Sequence, residues 1–386
     1  MKKFSKLLSL ALTGAMVLSL LAGCGGESSS SDTFKIGGIG PLTGGAAIYG
    51  IAAMNGAQIA VDEINAAGGI NGYQIEFKTE DDAHDAEKSV NAYNALKDWG
   101  MQILCGTVTS TPCAAVADKT AADGMFEVTP SASSTDVIVN DNVFQVCFTD
   151  PNQGIASADY IAEHFAGATI GIIYCSNDVY SSGIRATFVK EAESLGLTIA
   201  ADEAFTTDTN TDFTTQLNKC KDAGVDLLFY PYYYTEGSVI LTEMNAMGYA
   251  PTFFGVDGMD GILGVEGFDQ ALAEGVYLLT PFAADATDDA TVNFVNTYVE
   301  KYGEIPNQFA ADSYDAIYVI KAALEAGNAT PDMSVEEIGE LCMAAITGIS
   351  VDGLTGQGMT WLASGEVSKA PMAVVIKDGA YVSVEE

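Results

Sequence analysis

The side chains that could carry out acid–base or metal chemistry are few in this 386-residue sequence. His84 and His164 are the two histidines, and neither has a second histidine or a cysteine at the spacing that zinc sites use. His84 lies in the acidic turn 81–85, where capping of the following helix accounts for the carboxylates. The sequence therefore predicts no metal site.

Nucleotide and ester chemistry also lack their usual motifs. The segment 38–43 (GIGPLT) begins like a dinucleotide fingerprint, but Thr43 replaces the third glycine and Pro41 has no amide donor. The sequence contains neither a G-x-x-x-x-G-K-[ST] loop nor a G-x-S-x-G elbow. We predict that the protein is not an enzyme and uses no cofactor.

Serines at two predicted chain turns could instead bind an anion. Ser110 precedes a helix whose first turn contains Pro112, so it is predicted to be the N-cap, and the free amides of that turn attract negative charge. Ser131 and Ser133 follow a predicted strand, at the edge where open α/β sheets bind ligands. Serines at such positions also cap helices without touching a ligand, and the two roles are compatible.

Short β-rich runs alternate with amphipathic helical patterns from residue 34 onward, which is typical of a parallel sheet covered on both faces. The predicted strands are 34–40, 73–80, 102–105, 125–129, 169–175, 197–204, 225–230 and 372–377. The predicted helices are 57–64, 90–96, one opening at 110, 152–164, 182–195, 213–223, 310–326 and 334–345. The pattern predicts two α/β units in series, and the late strand is most easily placed if it returns to an earlier sheet.

The first 32 residues predict an exported, lipid-anchored chain. Three lysines precede an apolar run over 7–21 of signal-peptide length, and the sequence LAGC at 21–24 looks like a bacterial lipobox. We therefore expect residues 1–23 to be removed and Cys24 to carry a lipid. The Gly/Ser-rich segment 24–32 is predicted to be a flexible tether, which places the protein outside the cytoplasm at the cell membrane.

Composition limits the partners. Lys and Arg total 16 against 52 Asp and Glu, and removal of the three N-terminal lysines changes the net charge from −36 to −39. Such a chain repels phosphate backbones, so we exclude nucleic acid as a partner. The six cysteines after Cys24 show no CxxC spacing. Four of them lie in or beside apolar runs and are expected to pack in the core, with a Cys105–Cys113 disulfide as an open alternative.

A long series of motifs resembles the leucine/isoleucine/valine-binding proteins, which are type I solute-binding proteins of ABC importers. The motifs occur in the family's order between residues 40 and 183. They are GPLTG at 40–44, YG at 49–50, NGA at 55–57, AVDEINAAGGING at 60–72, DDA at 81–83, GTVTST at 106–111, TPSA at 129–132 and NDVYSSG at 177–183.

The resemblance implies two Rossmann-like lobes joined by three crossover strands near Asp150, Pro281 and Gln357. Lobe 1 would hold residues 33–150 and 281–357. Lobe 2 would hold residues 151–280 and 358–386, so that the late strand completes it.

The resemblance also implies contacts to the two charged ends of an amino acid. Ser110 and Ser133 would bind the ligand carboxylate, Ser131 would offer backbone contacts, and Asp257 would receive the ammonium group. The family usually has glutamate where this chain has Asp257, whose reach is shorter. Because Asp257 lies between glycines in GVDG at 255–258, a mere turn role is the alternative.

Three tyrosines are assigned in the same way. Tyr180 and Tyr233 match lobe 2 positions that close over the ligand, with Tyr232 as the alternative to Tyr233, and Tyr49 matches an aromatic residue lining the side-chain pocket. Related proteins often have a disulfide between the positions of His84 and Thr109. That bridge is absent here, so the loop before Ser110 is expected to be fixed by packing alone.

An amino acid needs donors for its carboxylate and an acid for its ammonium group, because burying either charge without charge-assisted hydrogen bonds is costly. We therefore expect a monomeric binding lipoprotein that captures an amino acid, most simply a branched-chain aliphatic one, and delivers it to an ABC transporter permease. Two alternatives stay open, namely an aromatic acid or amide as the ligand of the same fold, and a sensor subunit that signals.

Overall fold

The structure, a computed structural model, describes residues 33–384. The predicted signal peptide 1–23, the lipid-bearing Cys24 and the tether 24–32 lie outside the described residues. Within 33–384 the chain forms twelve strands and ten α-helices, which alternate over most of its length. No helix in this part of the chain has both the length and the apolar character needed to cross a membrane.

The first sheet is built from strands near the start of the chain, which are largely buried except for the edge strand β2. Its order is β2-β1-β3-β4-β5 and every neighbouring pair is parallel. The strands are β1 (Thr33–Gly40), β2 (Gln74–Asp81), β3 (Ile103–Gly106), β4 (Phe126–Thr129) and β5 (Val143–Gln145). The helices that connect them are α1 (Ala47–Ala66), α2 (Ala86–Trp99) and α3 (Ser110–Ala122).

The second sheet has seven strands in the order β12-β11-β10-β9-β8-β6-β7. Its strands are β6 (Thr169–Cys175), β7 (Thr198–Phe205), β8 (Leu227–Tyr230), β9 (Thr252–Gly255), β10 (Tyr277–Thr280), β11 (Met372–Lys377) and β12 (Ala380–Ser383). Its helices are α4 (Asp150–His164), α5 (Val179–Leu195), α6 (Thr214–Asp222) and α7 (Tyr234–Ala246). The predicted class, two α/β lobes with largely parallel sheets, is confirmed.

The late strand predicted at 372–377 is confirmed as β11, which pairs antiparallel with β10. Three helices occupy the chain between these two strands, namely α8 (Asp289–Tyr302), α9 (Gln308–Ala326) and α10 (Val335–Ile346). The chain therefore leaves the second sheet after β10 and returns to it only at the end.

These late helices contribute part of the core that packs on the first sheet. Ile317 and Ile320 of α9 share a buried cluster with Phe34 of β1. Helices α1 and α9 touch at Gly56, where a Cβ atom would lie 1.9 Å from the Ala310 carbonyl oxygen. Only glycine allows two helix backbones to approach so closely.

Residues beyond Gln357 also pack with the first sheet. Met359, Trp361 and Val367 belong to the same cluster as Phe34, and the Trp361 indole donates a hydrogen bond to the Gln145 carbonyl (2.8 Å). The lobe boundaries stay a prediction. Since these contacts tie 359–367 to the first sheet, we propose a third crossover near residue 370 instead of Gln357.

The six cysteines of the described chain are free and buried, as core packing predicts. The alternative Cys105–Cys113 disulfide is wrong. The Cys113 thiol instead donates a hydrogen bond to the Glu127 carboxylate (3.3 Å), and that contact directs it away from a bridge.

Candidate ligand site

A small cavity, here called the central cavity, lies where the carboxyl edges of the two sheets meet. Open α/β sheets bind ligands at this edge. Both lobes contribute to the wall, through loops that follow β3, β4, β8 and β9 and through the helices α1, α5 and α9. The lining residues are Tyr49, Val108, Thr109, Ser110, Ser131, Tyr180, Tyr233, Asp257, Gly258 and Phe309.

Ser110 and Ser131 form the polar wall on the first lobe. Ser110 is the first residue of α3 and Thr109 is the N-cap, so the predicted N-cap was wrong by one residue. The Ser110 hydroxyl accepts a hydrogen bond from the Ser134 amide (3.2 Å), which leaves its own proton available to a ligand. The Ser131 hydroxyl already donates to the Val108 carbonyl (2.7 Å).

Ser133 does not line the central cavity. Its side chain is fully buried, and its hydroxyl has no hydrogen-bond partner among the described residues. Its carbonyl accepts a hydrogen bond (2.9 Å) from the amide of Asp150, the first residue of α4. The structure thus brings two of the three predicted serines to the cavity.

Asp257 faces this wall from the second lobe. It begins a short 3-10 turn, Asp257–Met259, directly after β9, and only 4% of its surface is exposed. The Tyr180 hydroxyl donates a hydrogen bond to its carboxylate, and the Gly258 amide donates to the same hydroxyl (3.0 Å). Asp257 therefore belongs to a turn and also lines the central cavity.

The environment of Asp257 perturbs its ionisation. Burial raises the pKa of Asp257 to about 7, and the nearby negative Asp312 adds to the rise, while the hydrogen bond from Tyr180 opposes it. A carboxyl with a pKa in this range gains most from a cationic partner, because the partner offsets the cost of burying its charge.

Aromatic rings fill most of the remaining wall. Tyr233 occupies the N-cap position of α7 and stacks on Tyr180, with ring centroids 5.1 Å apart and an interplanar angle of 18°. The Tyr49 ring meets Tyr233 edge-on at 5.4 Å, and its hydroxyl donates to the Gly258 carbonyl. Tyr232, the alternative to Tyr233, lies behind it at 4.5 Å and does not line the cavity.

The central cavity measures about 10 Å³, close to the space of one water molecule. The lobes touch around it, since Thr235 of α7 donates a hydrogen bond to the Gly45 carbonyl (2.6 Å) and Thr111 donates to Asp178 (3.1 Å). A molecule larger than water can therefore enter only when the lobes separate or the tyrosine rings turn aside.

His84 fixes the loop that carries Ser110. Its Nδ1 lies 2.9 Å from the Thr109 hydroxyl, and its ring meets the edge of Tyr233 at 5.3 Å. Burial lowers the pKa of His84, which favours the neutral ring. The expectation that packing alone fixes this loop was wrong, because a polar contact joins the positions at which related proteins often have a disulfide.

Four lining residues were not predicted. Val108 and Thr109 directly precede Ser110, and Gly258 follows Asp257, so extension of the predicted segments by one or two residues would have found them. Phe309 contacts Tyr49 with ring centroids 4.2 Å apart, but it belongs to a helix far away in sequence. No local signal identifies such a residue.

No group of three or more His, Cys, Asp or Glu side chains within residues 33–384 is arranged to hold a metal ion. The polar groups of the central cavity are hydroxyls, amides and one carboxyl, which suit a small organic molecule with an anionic and a cationic end.

Two parallel-sheet lobes with such a cavity between their carboxyl edges define the class of bilobed solute-binding proteins. The sequence model of the family described as periplasmic binding protein matches residues 33–380, and the chain belongs to this family.

Within the family, the chain is similar to proteins that are named for the amino acids they bind. The chain is 29% identical over 341 residues to the leucine-, isoleucine-, valine-, threonine- and alanine-binding protein of Pseudomonas aeruginosa, covering 88% of this chain and 89% of the relative. It is 30% identical over 302 residues to the Leu/Ile/Val-binding protein BraC3 of Rhizobium johnstonii, covering 77% and 80%. The predicted resemblance to leucine/isoleucine/valine-binding proteins is confirmed.

A solved structure agrees with the fold. The branched-chain amino acid substrate-binding protein LivJ of Streptococcus pneumoniae, determined in complex with isoleucine, superposes with a TM-score of 0.83 at 28% identity. The match covers 92% of this chain and 99% of that one.

Proposed function

We propose that this chain is an extracytoplasmic lipoprotein that binds a branched-chain aliphatic amino acid between its lobes and delivers it to an ABC transporter permease. The observation that carries the proposal is that Ser110 and Asp257, from different lobes, line one cavity. A zwitterion needs donors at one end and a carboxylate at the other.

The ligand carboxylate would bind the Ser110 hydroxyl and the free amides in the first turn of α3. The ligand ammonium would bind Asp257, displacing or sharing the hydrogen bond from Tyr180. Ser133 would join the carboxylate contacts only if the segment 131–134 turns toward the ligand. The rings of Tyr49, Tyr233 and Phe309 offer apolar surface to an aliphatic side chain, and relatives named for leucine, isoleucine and valine support this choice.

The decisive experiment compares the protein with Asp257→Ala by isothermal titration calorimetry at pH 7.5. L-leucine binding should weaken at least 100-fold in the variant, because removal of one partner of a buried charge pair costs about 3 kcal/mol or more. The thermal unfolding midpoint should change little. Asp208→Asn, which changes an exposed acid of the same lobe, serves as the matched control.

Ligand analogues separate the two ends of the site. 4-Methylpentanoate lacks the ammonium group, so Asp257→Ala should not weaken its binding. Leucinamide lacks the carboxylate, so it should lose affinity for the unchanged protein. Retained leucine affinity in Asp257→Ala would refute the ammonium role of this residue.

The remaining parts of the proposal have separate tests. Bound leucine recovered unchanged by mass spectrometry would agree with capture without turnover. Cys24→Ser should release the protein from the membrane fraction. Vesicles that hold the cognate permease should accumulate leucine only when the protein is added, whereas a sensor subunit would bind leucine without supporting uptake.

An aromatic acid is the second candidate ligand. The stacked rings of Tyr180 and Tyr233, with Tyr232 stacked behind them, offer a flat surface to a planar molecule. A thermal-shift screen of aliphatic amino acids against aromatic acids distinguishes the two candidates, since at equal concentration the tighter ligand raises the unfolding midpoint more.

A further inference from the structure

A second and larger cavity lies beside the crossover at Asp150 and is here called the flanking cavity. It measures about 320 Å³, at the lower end of the range of small-molecule pockets. One side comes from the segment after β4 in the first lobe and the other from the start of α5 in the second. The lining residues are Ser134, Thr135, Asp136, Asp150, Pro151, Val179, Ser182, Gly183 and Thr187.

The carboxylate of Asp150 is the unusual feature of this cavity. The residue is 1% exposed, and neither of its carboxylate oxygens has a hydrogen-bond partner within residues 33–384. It lies against Gly183, where an added Cβ would come within 3.1 Å of one of these oxygens. A buried carboxyl without partners is costly, and it usually marks a group that pairs with something else.

The hydroxyls around Asp150 point to the chemistry of that partner. The Ser182 hydroxyl donates its proton to the Asp178 carbonyl (2.7 Å), and the Thr187 hydroxyl donates to the Ile184 carbonyl (3.1 Å). A hydroxyl has one proton to donate, so each of these offers only lone pairs to the cavity. The Ser134 hydroxyl accepts a hydrogen bond from the Asp136 amide (3.2 Å) and keeps its own proton. The carboxylates of Asp136 and Asp150 are the charged groups of the lining, which includes no Lys, Arg or His.

A donor-only molecule matches this lining. An ammonium group carries three donors and no acceptor, which complements two carboxylates and several hydroxyl lone pairs. A bare metal ion fits less well, because the described residues hold no cluster of three acidic, thiol or imidazole ligands and the cavity is far larger than one ion.

We propose that the flanking cavity binds a short-chain organic diammonium ion, with one ammonium on Asp150 and the other on Asp136. The proposal does not rest on amino-acid binding in the central cavity. A ligand in the flanking cavity would contact both lobes and so would connect the first lobe with α5.

Proton release distinguishes this pairing from loose attraction to an acidic surface. Burial raises the pKa of Asp150 well above its usual range, with additional contributions from the charges of Asp257, Asp178 and Asp136. The Ser133 hydroxyl lies near enough to lower this pKa somewhat, without reaching hydrogen-bond geometry. A bound ammonium favours the ionised form, so binding should lower the pKa of Asp150 and release the proton that burial favours on this carboxyl.

The test is calorimetric titration of the purified protein with 1,4-diaminobutane at pH 7.5, in phosphate and in MOPS. We expect one saturable site and a binding heat that differs between the two buffers, because binding releases protons. Asp150→Asn should weaken binding at least tenfold and abolish the proton release. Asp159→Asn, an exposed acid on the same helix, is the matched control and should change neither.

Two further variants keep the proposal testable if Asp150→Asn folds poorly. Thr187→Val removes an acceptor while preserving side-chain shape, and should weaken diamine binding several-fold. Asp257→Ala alters the central cavity, and diamine affinity should stay within a few-fold, whatever happens to leucine. The absence of saturable heat, equal heat in Asp150→Asn, loss of binding in Asp257→Ala, or displacement by sodium at equal concentration would each overturn the proposal.

Discussion

Asp257 combines burial with a position opposite the serine wall, and this sets how binding should respond to pH. Burial raises the pKa of Asp257 to about 7, so the carboxyl becomes protonated as the pH falls through neutrality. A protonated carboxyl cannot pair with an ammonium ion. We expect leucine affinity to fall by about tenfold per pH unit below pH 7 and to change little between pH 7.5 and 8.5.

Calorimetric titrations at several pH values between 5.5 and 8.5 measure this dependence. Leucine itself changes charge little over the range, so the slope reports on the protein. In Asp257→Asn the affinity should be low and almost independent of pH. A slope that persists in this variant would assign the titration to another buried acid, such as Asp312, whose pKa is raised to about 6.

At the residue level the sequence predicted identities better than positions. Ser110, Ser131 and Asp257 follow strands or open helices, and the carboxyl edge of a parallel sheet brings such residues together whatever their distance in sequence. Ser133 does not line the cavity, although it lies only two residues after Ser131. The conformation of the loop between them decides which way each side chain points. Phe309 could not be predicted, since its place in the wall depends on how α9 packs against α1.

At the level of elements, the sequence predicted most strands and helices, but it missed the 14-residue helix α8 and four short strands. The strand 169–175 and the strand 372–377 were predicted with the observed bounds. The strands β5, β9, β10 and β12 have three or four residues each, too few to establish a period. The helix α7 was also missed, and it begins at the end of the aromatic segment 230–234.

The loop before α3 gives an element-level prediction. The double variant His84→Cys/Thr109→Cys should form a disulfide, because the Nδ1–Oγ1 contact of 2.9 Å already brings these side chains together. The disulfide would close the segment 84–109, and a closed loop of this length predicts a stabilisation of about 3 kcal/mol. Calorimetric unfolding with and without reductant measures it.

The single variants His84→Cys and Thr109→Cys are the controls, and each should be less stable than the unchanged protein. Thiol titration should find no more free thiols in the oxidised double variant than in the unchanged protein. An unfolding midpoint that does not respond to reductant would show that the two side chains cannot reach bridge geometry.

At the scale of the whole molecule, contacts between the lobes should control how fast a ligand enters and leaves. Thr235→Val removes the hydrogen bond to the Gly45 carbonyl and keeps the shape of the side chain. One such bond contributes about 1 kcal/mol, so we expect the association and dissociation rates of leucine each to rise roughly three- to tenfold. The dissociation constant should change by less than about threefold.

Stopped-flow tyrosine fluorescence measures both rates. Thr242→Val is the matched control, because Thr242 lies on the same helix and donates within it to the Ser238 carbonyl (2.7 Å). Unchanged rates in Thr235→Val would mean that lobe separation does not limit ligand entry and that the tyrosine rings form the barrier instead.

The route of the chain through the two lobes also governs when the protein can fold. The buried cluster around Phe34 is complete only when Ile320 and Trp361 are present. The second sheet is complete only when its last strands at 372–383 are present. Until nearly all of the polypeptide is present, the first sheet lacks part of its core and the second sheet lacks two strands. Such a chain would stay unfolded during synthesis, which is the condition for its passage through a secretion channel.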